Sequence, residues 1–514
     1  MTGMRARLLA RKPFEEVRAD IDRHGLHRTL GPWHLVMLGI GCIVGAGVFI
    51  MTGTAAANYA GPGVVLSFGL AGLACAFTGL CYAELASTLP VSGSSYTYSY
   101  AALGEIFAWG LGWLLMLEYG LAGAALAVGV SGYLSSLLAD FGIVIPAAMN
   151  TPLIQGVMTD EGLAFQVGGS LNLVAALSLL AFAWILIRGV TQSASVNVAM
   201  VIVKVSVLLL FIIVGAQFVD TSNWTPLVPP NEGDFRYGLE GVLRAASVLF
   251  FAYLGFETVS TAALESRNPQ RHMPIGILGS LAICTLLYIA VALVLTGVVP
   301  YRLLGVPDPI ALAVDHMGLP GMAVLIKVGA VVGLCSVLMV NTYGHSRICF
   351  AMSRDGLLPP LFAQVHERFR TPHKGTLAVA GISAVAAMLL PISILGDLVS
   401  LGVALAFSIV AISVMWLRTR HPELERPFRV PLGGVWIRGV WIGTVPVCAL
   451  VLCLGLGGPV LYDILVKASQ GDAIPAVILA LYLIAGAWIY ARYGYRNSRV
   501  GARIASASAA QRDT

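Results

Sequence analysis

Gly39-Ile40-Gly41-Cys42-Ile43-Val44-Gly45-Ala46-Gly47-Val48-Phe49 sets four glycines within nine residues, inside an apolar run long enough to cross a bilayer. Each glycine weakens a helix by up to about 1 kcal/mol relative to alanine. Two readings follow. Gly41 and Gly45 have the small-xxx-small spacing of closely packed membrane helices. The run equally fits a break, whose unwound N–H and C=O groups face a ligand. At mid-membrane depth irregular backbone is tolerated only where it lines a cavity or is buried in protein. A second stretch favours the break. Phe250-Phe251-Ala252-Tyr253-Leu254-Gly255-Phe256-Glu257 puts a glycine beside aromatics and a carboxylate, again inside an apolar span. Paired interruptions at matching places in two halves point to a transporter site at an inverted-repeat interface.

The rest of the chain supports a membrane setting. Of 514 residues, 58% are hydrophobic and 11% charged, with a mean hydropathy of +0.84. Soluble chains carry roughly 25% charged residues. A span needs about 20 apolar residues, and twelve candidates emerge: 32–57, 62–84, 103–135, 168–187, 194–219, 239–263, 274–299, 320–350, 375–391, 396–417, 439–460 and 473–492. The positive-inside rule tests that count. With the N-terminus in the cytoplasm, 25 of the 31 Lys and Arg fall in inner segments and only Arg236, Arg302 and Lys467 in outer ones. Lys204, Arg244 and Lys327 lie within spans. A miscounted helix in the middle of the chain would destroy that split, so both ends are placed inside.

Residues 1–30 are basic, broken by acids, and lack the apolar core and cleavage site of a signal peptide. The first span is therefore expected to direct insertion. Residues 13–17 suit either a short surface helix or a solvated tail. The eight cysteines all sit in apolar runs, which argues for buried thiols and against a disulfide framework. The nine histidines are scattered, mostly in inner loops, and no metal-ligand spacing stands out. An enzyme would need clustered His, Asp or Cys near one interface, and a channel a filter or ring motif. Neither is evident.

Ionisable residues inside spans are functional candidates by default. Lys204 lies roughly 16 Å into the fifth span, counting 1.5 Å per residue. At that depth it needs a partner or must give up its proton. Glu118 in the third span is equally deep. Arg244 and Lys327 lie within a turn or two of the outer face, where a structural or gate role suits them. Glu240 and Arg244 have the i,i+4 spacing of a helix ion pair.

With those residues in place the sequence resembles the amino acid–polyamine–organocation superfamily, most closely the bacterial relatives of its cationic amino acid transporters. The matching segments are 39–53, Tyr82-Ala83-Glu84-Leu85 with 90–96, 250–261, Asn268-Pro269 with Pro274-Ile275-Gly276, and 347–359. The resemblance runs from about Leu30 to Tyr490. It implies an L-amino acid carrier whose substrate carboxylate meets the N–H groups of Gly45, Ala46 and Gly47. The ammonium would meet carbonyls near Cys42, Ile43, Phe251, Ala252 and Leu254. Lys204 matches the family lysine that stands where sodium-coupled relatives hold an ion, which implies proton coupling or ion-independent exchange. Glu118 matches the acid of the third helix, and Asn341 a position lining the side-chain subsite. Ala46 replaces the Ser or Thr common in relatives, and Glu257 replaces an Asp.

The expected fold is an all-α polytopic membrane protein: twelve transmembrane helices, a five-plus-five inverted repeat with helices 1 and 6 broken, and two extra C-terminal helices. Its segments are 1–30 (cytoplasmic, basic), 31–219 and 220–417 (the repeats), 418–492 (helices 11 and 12) and 493–514 (cytoplasmic tail). The expected activity is secondary active L-amino acid transport across the inner membrane, as proton symport or, alternatively, sodium-independent exchange. Substrate contacts are expected from Cys42, Ile43, Gly45, Ala46, Gly47, Glu118, Phe251, Ala252, Leu254, Glu257 and Asn341, with Lys204 coupling a proton. Ser336 on the eighth helix is the expected hydroxyl partner of Lys204. No enzyme activity, cofactor, metal or nucleic-acid partner is expected. The partners are an L-amino acid, a proton and the lipid bilayer, with the chain a monomer or bound to a small membrane protein.

Overall fold

Twelve helical spans cross the protein in a computed structural model that describes residues 8, 10–12, 29–89, 94–159, 162–189, 194–233 and 235–503. The sequence-based surface helix at 13–17 and part of the 90–96 motif lie outside these residues. Among the described residues nine helices are long and apolar enough to cross a membrane, and 32–43, 173–187 and 373–389 are shorter apolar helices.

Span α1 is Pro32–Ile43, continued by the π turn Gly47–Met51, the helix Thr52–Ala55 and a second π turn, Ala56–Ala60. It is followed by α2 (Val64–Thr88), α3 (Glu105–Asp140), α4 (Leu173–Ile187) and α5 (Ala194–Gly215). The second set is α6 (Gly238–Leu249, then the 3-10 segments Phe250–Tyr253 and Phe256–Glu265), α7 (Pro269–Val298), α8 (Pro320–Arg354), α9 (His373–Leu389) and α10 (Ile392–Arg420). Spans α11 (Thr444–Ser469) and α12 (Ile474–Ile489) complete the chain. Local chemistry sets many of these starts. Proline occupies the first turn of α1, α7, α8 and α12, where its missing N–H costs nothing. The Asn172 side chain caps α4 by accepting from Ala175 N at 3.0 Å.

The twelve expected spans are all present. The structure adds helices Ser94–Ala102 and Pro309–His316, which their short, mixed sequences did not reveal as separate elements. It also adds two hairpins, β1 (Ile154–Thr159) with β2 (Gly162–Val167), and β3 (Gly434–Ile437) with β4 (Val440–Gly443). Spans α1, α2, α6 and α7 pack on one another, α3 packs along α8, and α4 along α9. Between the groups, α5 touches α1, α7 and α8. The breaks in α1 and α6 fall five spans apart, as a five-plus-five repeat requires.

Buried ion pairs lock the flanks. Arg244 on α6 is fully buried, reaching Asp397 on α10 and Asp463 on α11 at 2.8 Å each, with its guanidinium 4.7 Å from the Tyr59 ring centre. This corrects the expected Glu240–Arg244 pair, because Glu240 instead accepts from Asn231 Nδ2 at 3.2 Å. A guanidinium taken out of solvent must find opposite charge, and two carboxylates on neighbouring spans outcompete one exposed glutamate a turn away. Lys327 pairs with Asp140 and Asp315, and Glu84 on α2 receives Arg418 from α10.

Removing one partner of a buried ion pair costs about 3–5 kcal/mol. Arg244→Met is therefore expected to destabilise the protein by about that amount in a thermal or denaturant scan of the detergent-solubilised chain. Glu240→Gln is expected to stay within about 0.5 kcal/mol of the parent. Similar losses from both substitutions would reinstate the local pair.

Candidate functional site

The break in α1 opens after Ile43. Val44 takes an extended ψ of 96°, and regular winding resumes at Gly47. Unwinding frees carbonyls that the helix would otherwise use, and in a membrane interior each needs a donor. Lys204 Nζ on α5 donates to Gly41 O at 2.5 Å and to Val44 O at 3.0 Å. Tyr288 Oη on α7 donates to Ile43 O at 2.7 Å and also lies 3.2 Å from Ala252 O on α6. One ammonium and one phenol thus hold the frayed end of α1. Ser336, the expected hydroxyl partner of Lys204, is buried with no hydrogen-bond partner for its Oγ. Span α8 approaches Lys204 through Gly333 instead, where a Cβ would sit 3.2 Å from Lys204 Cβ. A glycine there leaves room for the long side chain to pass towards α1.

The second half of α1 starts with Ala46 at its N-cap and no side chain capping it. An uncapped helix start presents backbone N–H donors and a partial positive charge, the ordinary setting for a carboxylate. Around it the two breaks meet closely. A Cβ on Gly47 would lie 2.4 Å from Ala252 Cα, so only glycine allows this approach. Gly255 has a φ of +117°, and a Cβ there would lie 2.7 Å from Cys42 C. Gly45 is less crowded, its nearest neighbours being Val337 at 3.2 Å and Leu126 at 3.4 Å. The two breaks thus meet at Gly47 with Ala252 and at Cys42 with Gly255, and the carbonyls of Ile43 and Ala252 face one hydroxyl, that of Tyr288. Ala46, Phe251 and Leu254 lie within the same two breaks, whereas Gly45 faces α8 and α3.

The acids form a second layer. Glu257 accepts from Gly255 N at 2.8 Å and from Tyr119 Oη at 3.2 Å. It therefore fixes the restart of α6 and ties it to α3. Glu118 is fully buried beside Glu257, and neither of its oxygens has a hydrogen-bond partner. Two neighbouring buried carboxylates need a proton or a cationic group between them. Asn341 on α8 donates its Nδ2 to Tyr119 O at 2.7 Å, so its amide is engaged with the α3 backbone. Tyr119 and Tyr288 are the residues that sequence reasoning missed. Tyr119 adjoins Glu118 and could have been inferred from it. Tyr288 is one aromatic in an apolar span, and nothing in the local sequence distinguishes it.

The unequal crowding of the glycines gives a graded expectation. In purified, folded protein, Gly47→Val should abolish binding of the transported solute while membrane insertion persists. Gly45→Ala should weaken it less than Gly47→Ala does. Isothermal titration or thermal-shift binding would check the order, and full affinity in folded Gly47→Val would remove this backbone from the site.

Comparison with known proteins agrees with this architecture. Residues 30–453 match the amino acid permease family. The chain is 44% identical to the methylthioribose transporter of Bacillus subtilis, covering 87% of this chain and 91% of that protein. It is 38% identical to the branched-chain amino acid permease BcaP of Bacillus subtilis, covering 97% and 100%. It is 37% identical to the vacuolar cationic amino acid transporter 4 of Arabidopsis thaliana, covering 81% and 68%. These relatives are transporters, not enzymes. Broken spans five apart and a family match over most of its length lead to one conclusion: the chain belongs to the amino acid permease family of the amino acid–polyamine–organocation superfamily.

Proposed function

We propose that the protein is a proton-coupled symporter of L-amino acids that works by alternating access across the cell's inner membrane, with both termini cytoplasmic. The observation that carries this reading is the Lys204 ammonium on the freed carbonyls of Gly41 and Val44. A positive charge built into α5 braces the α1 break, and a proton is what sets that charge. The substrate carboxylate takes the uncapped start at Gly45, Ala46 and Gly47. The substrate ammonium takes carbonyls near Cys42, Ile43, Phe251, Ala252 and Leu254. Residues 31–219 and 220–417 act as the two repeats, and 418–492 as the added pair.

The cycle follows from the bracing. With Lys204 protonated, α1 is held against α5 and the carboxylate site keeps its shape. Loss of the proton on the cytoplasmic side removes the charge and weakens both hydrogen bonds, the α1 backbone relaxes and the substrate leaves. Two states with different proton affinity link a pH gradient to uphill movement. Glu118 and Glu257 bias the neighbouring space towards cationic groups, and Asn341 shapes the side-chain end. The relatives' names span a thio-sugar and apolar and cationic amino acids. A thio-sugar has no carboxylate for the α1 half-helix, which favours the amino acid reading.

Proteoliposomes with an acidic exterior should accumulate a radiolabelled L-amino acid, and Lys204→Ala proteoliposomes should not. Lys204→Ala should also bind the amino acid more weakly than the parent does at acid pH. Uptake indifferent to the proton gradient but stimulated by internal amino acid would establish exchange instead. For the acids, Glu118→Gln should weaken arginine or lysine binding more than alanine binding. Equal loss for all three would make Glu118 structural. Competition by methylthioribose but by none of the twenty amino acids would overturn the substrate class.

A further inference from the structure

The segment between α10 and α11 holds an apolar surface that the transport site does not use. Every residue from 431 to 440 is exposed, yet Leu432, Val435, Trp436, Ile437 and Val440 are large and apolar, with exposures of 71%, 60%, 56%, 51% and 38%. This is no floppy loop. Strands β3 and β4 pair antiparallel, Trp436 opposite Trp441 and Ile437 opposite Val440. Arg438 and Gly439 make the two-residue turn, both with positive φ, at 50° and 79°. Such turns favour Asn, Asp or Gly at the first position. An arginine there holds a guanidinium at the tip of the hairpin.

Successive strand residues point to opposite faces. Trp436 is therefore on one face, and Val435 and Ile437 on the other. A hairpin in water shows one apolar and one polar face. This one is apolar on both, which water does not favour on so short a strand pair.

Its root places it at the membrane boundary. Trp441 is 6% exposed, its backbone N–H donates to Thr419 Oγ1 in the last turn of α10 at 2.9 Å, and the Arg418 guanidinium lies 4.0 Å from its ring centre. Gly443 then leads directly into α11 at Thr444. The hairpin thus joins the arginine-rich end of α10 to the start of α11. Arg429 and Arg438 are exposed beside it. Tryptophan rings favour the headgroup layer, and arginines there attract anionic lipid.

We propose that the β3–β4 hairpin lies in the headgroup layer of the leaflet on that side, as a membrane-surface anchor for anionic phospholipid. Val435, Trp436 and Ile437 meet the upper acyl chains, and Arg438 and Arg429 meet headgroup phosphates. The hairpin thereby fixes the ends of α10 and α11 to the bilayer surface.

The test uses the full chain in vesicles of phosphatidylcholine with phosphatidylglycerol as the minor component. The emission difference between the parent and Trp436→Phe reports the single indole. The expected result is quenching by lipids brominated near the glycerol backbone and protection from aqueous iodide. Brominated phosphatidylglycerol should quench more than brominated phosphatidylcholine at equal fraction, and Arg438→Ser should reduce that preference roughly fivefold. Strong iodide quenching without bromolipid quenching would put the hairpin in water and overturn the proposal. Protection from both quenchers would mean a protein surface covers it, a second copy included, and would overturn it as well. A preference unchanged in Arg438→Ser would overturn the headgroup contact.

Discussion

A membrane interior offers no water to a carbonyl that has lost its helical partner, and the break in α1 creates several at once. That constraint organises the centre of this protein. Gly41 and Val44 are satisfied by Lys204 from α5, and Ile43 by Tyr288 from α7. Neither donor is local, so the break can exist only when three spans are already assembled. The helix is weak by sequence and open by assembly.

The donors that satisfy the break also join the two halves of the fold. Tyr288 Oη lies within hydrogen-bonding distance of carbonyls on both α1 and α6. Glu257 fastens the restart of α6 through Gly255 N and reaches α3 through Tyr119. Asn341 brings α8 to the same turn of α3. A displacement of α1 is therefore felt at α5, α6 and α7 directly, and at α3 and α8 through Glu257 and Tyr119. Close glycine contacts make the arrangement stiff, since Gly47 lies on Ala252 and Gly255 on Cys42 with no space for a Cβ.

Much of this was legible in the sequence because membrane physics writes it in large letters. Apolar length fixed the spans, and the arginine distribution fixed their number. Glycine density marked the α1 break, and Gly255 beside Glu257 marked the second. What failed was pairing. The i,i+4 rule describes exposed helix surfaces, so it proposed Glu240 for Arg244. Burial required Asp397 and Asp463 instead, residues 153 and 219 positions away. Ser336 failed as a partner for Lys204 for a related reason: depth along α8 can be counted, but rotation about its axis cannot. Tyr288 was invisible, because a phenol that satisfies two distant carbonyls leaves no local pattern.

The buried charges divide by the company they keep. Arg244, Lys327 and Glu84 are each met by opposite charge. If Arg244 lost its charge, Asp397 would be stranded and Asp463 would keep only Lys467, a cost that holds such a group in one state. Lys204 has only carbonyl dipoles for partners among the described residues, and Glu118 has no hydrogen bond. When an ammonium held by carbonyls gives up its proton, no opposite charge is left behind. The amine that remains can still donate to one of those carbonyls, and water can reach the other once the site opens. Buried cations that must stay put are therefore clamped by counter-charges, while the one proposed to change state is cradled by neutral groups. That difference in partners, more than depth or burial, is what separates Lys204 from the structural cations of the same membrane core.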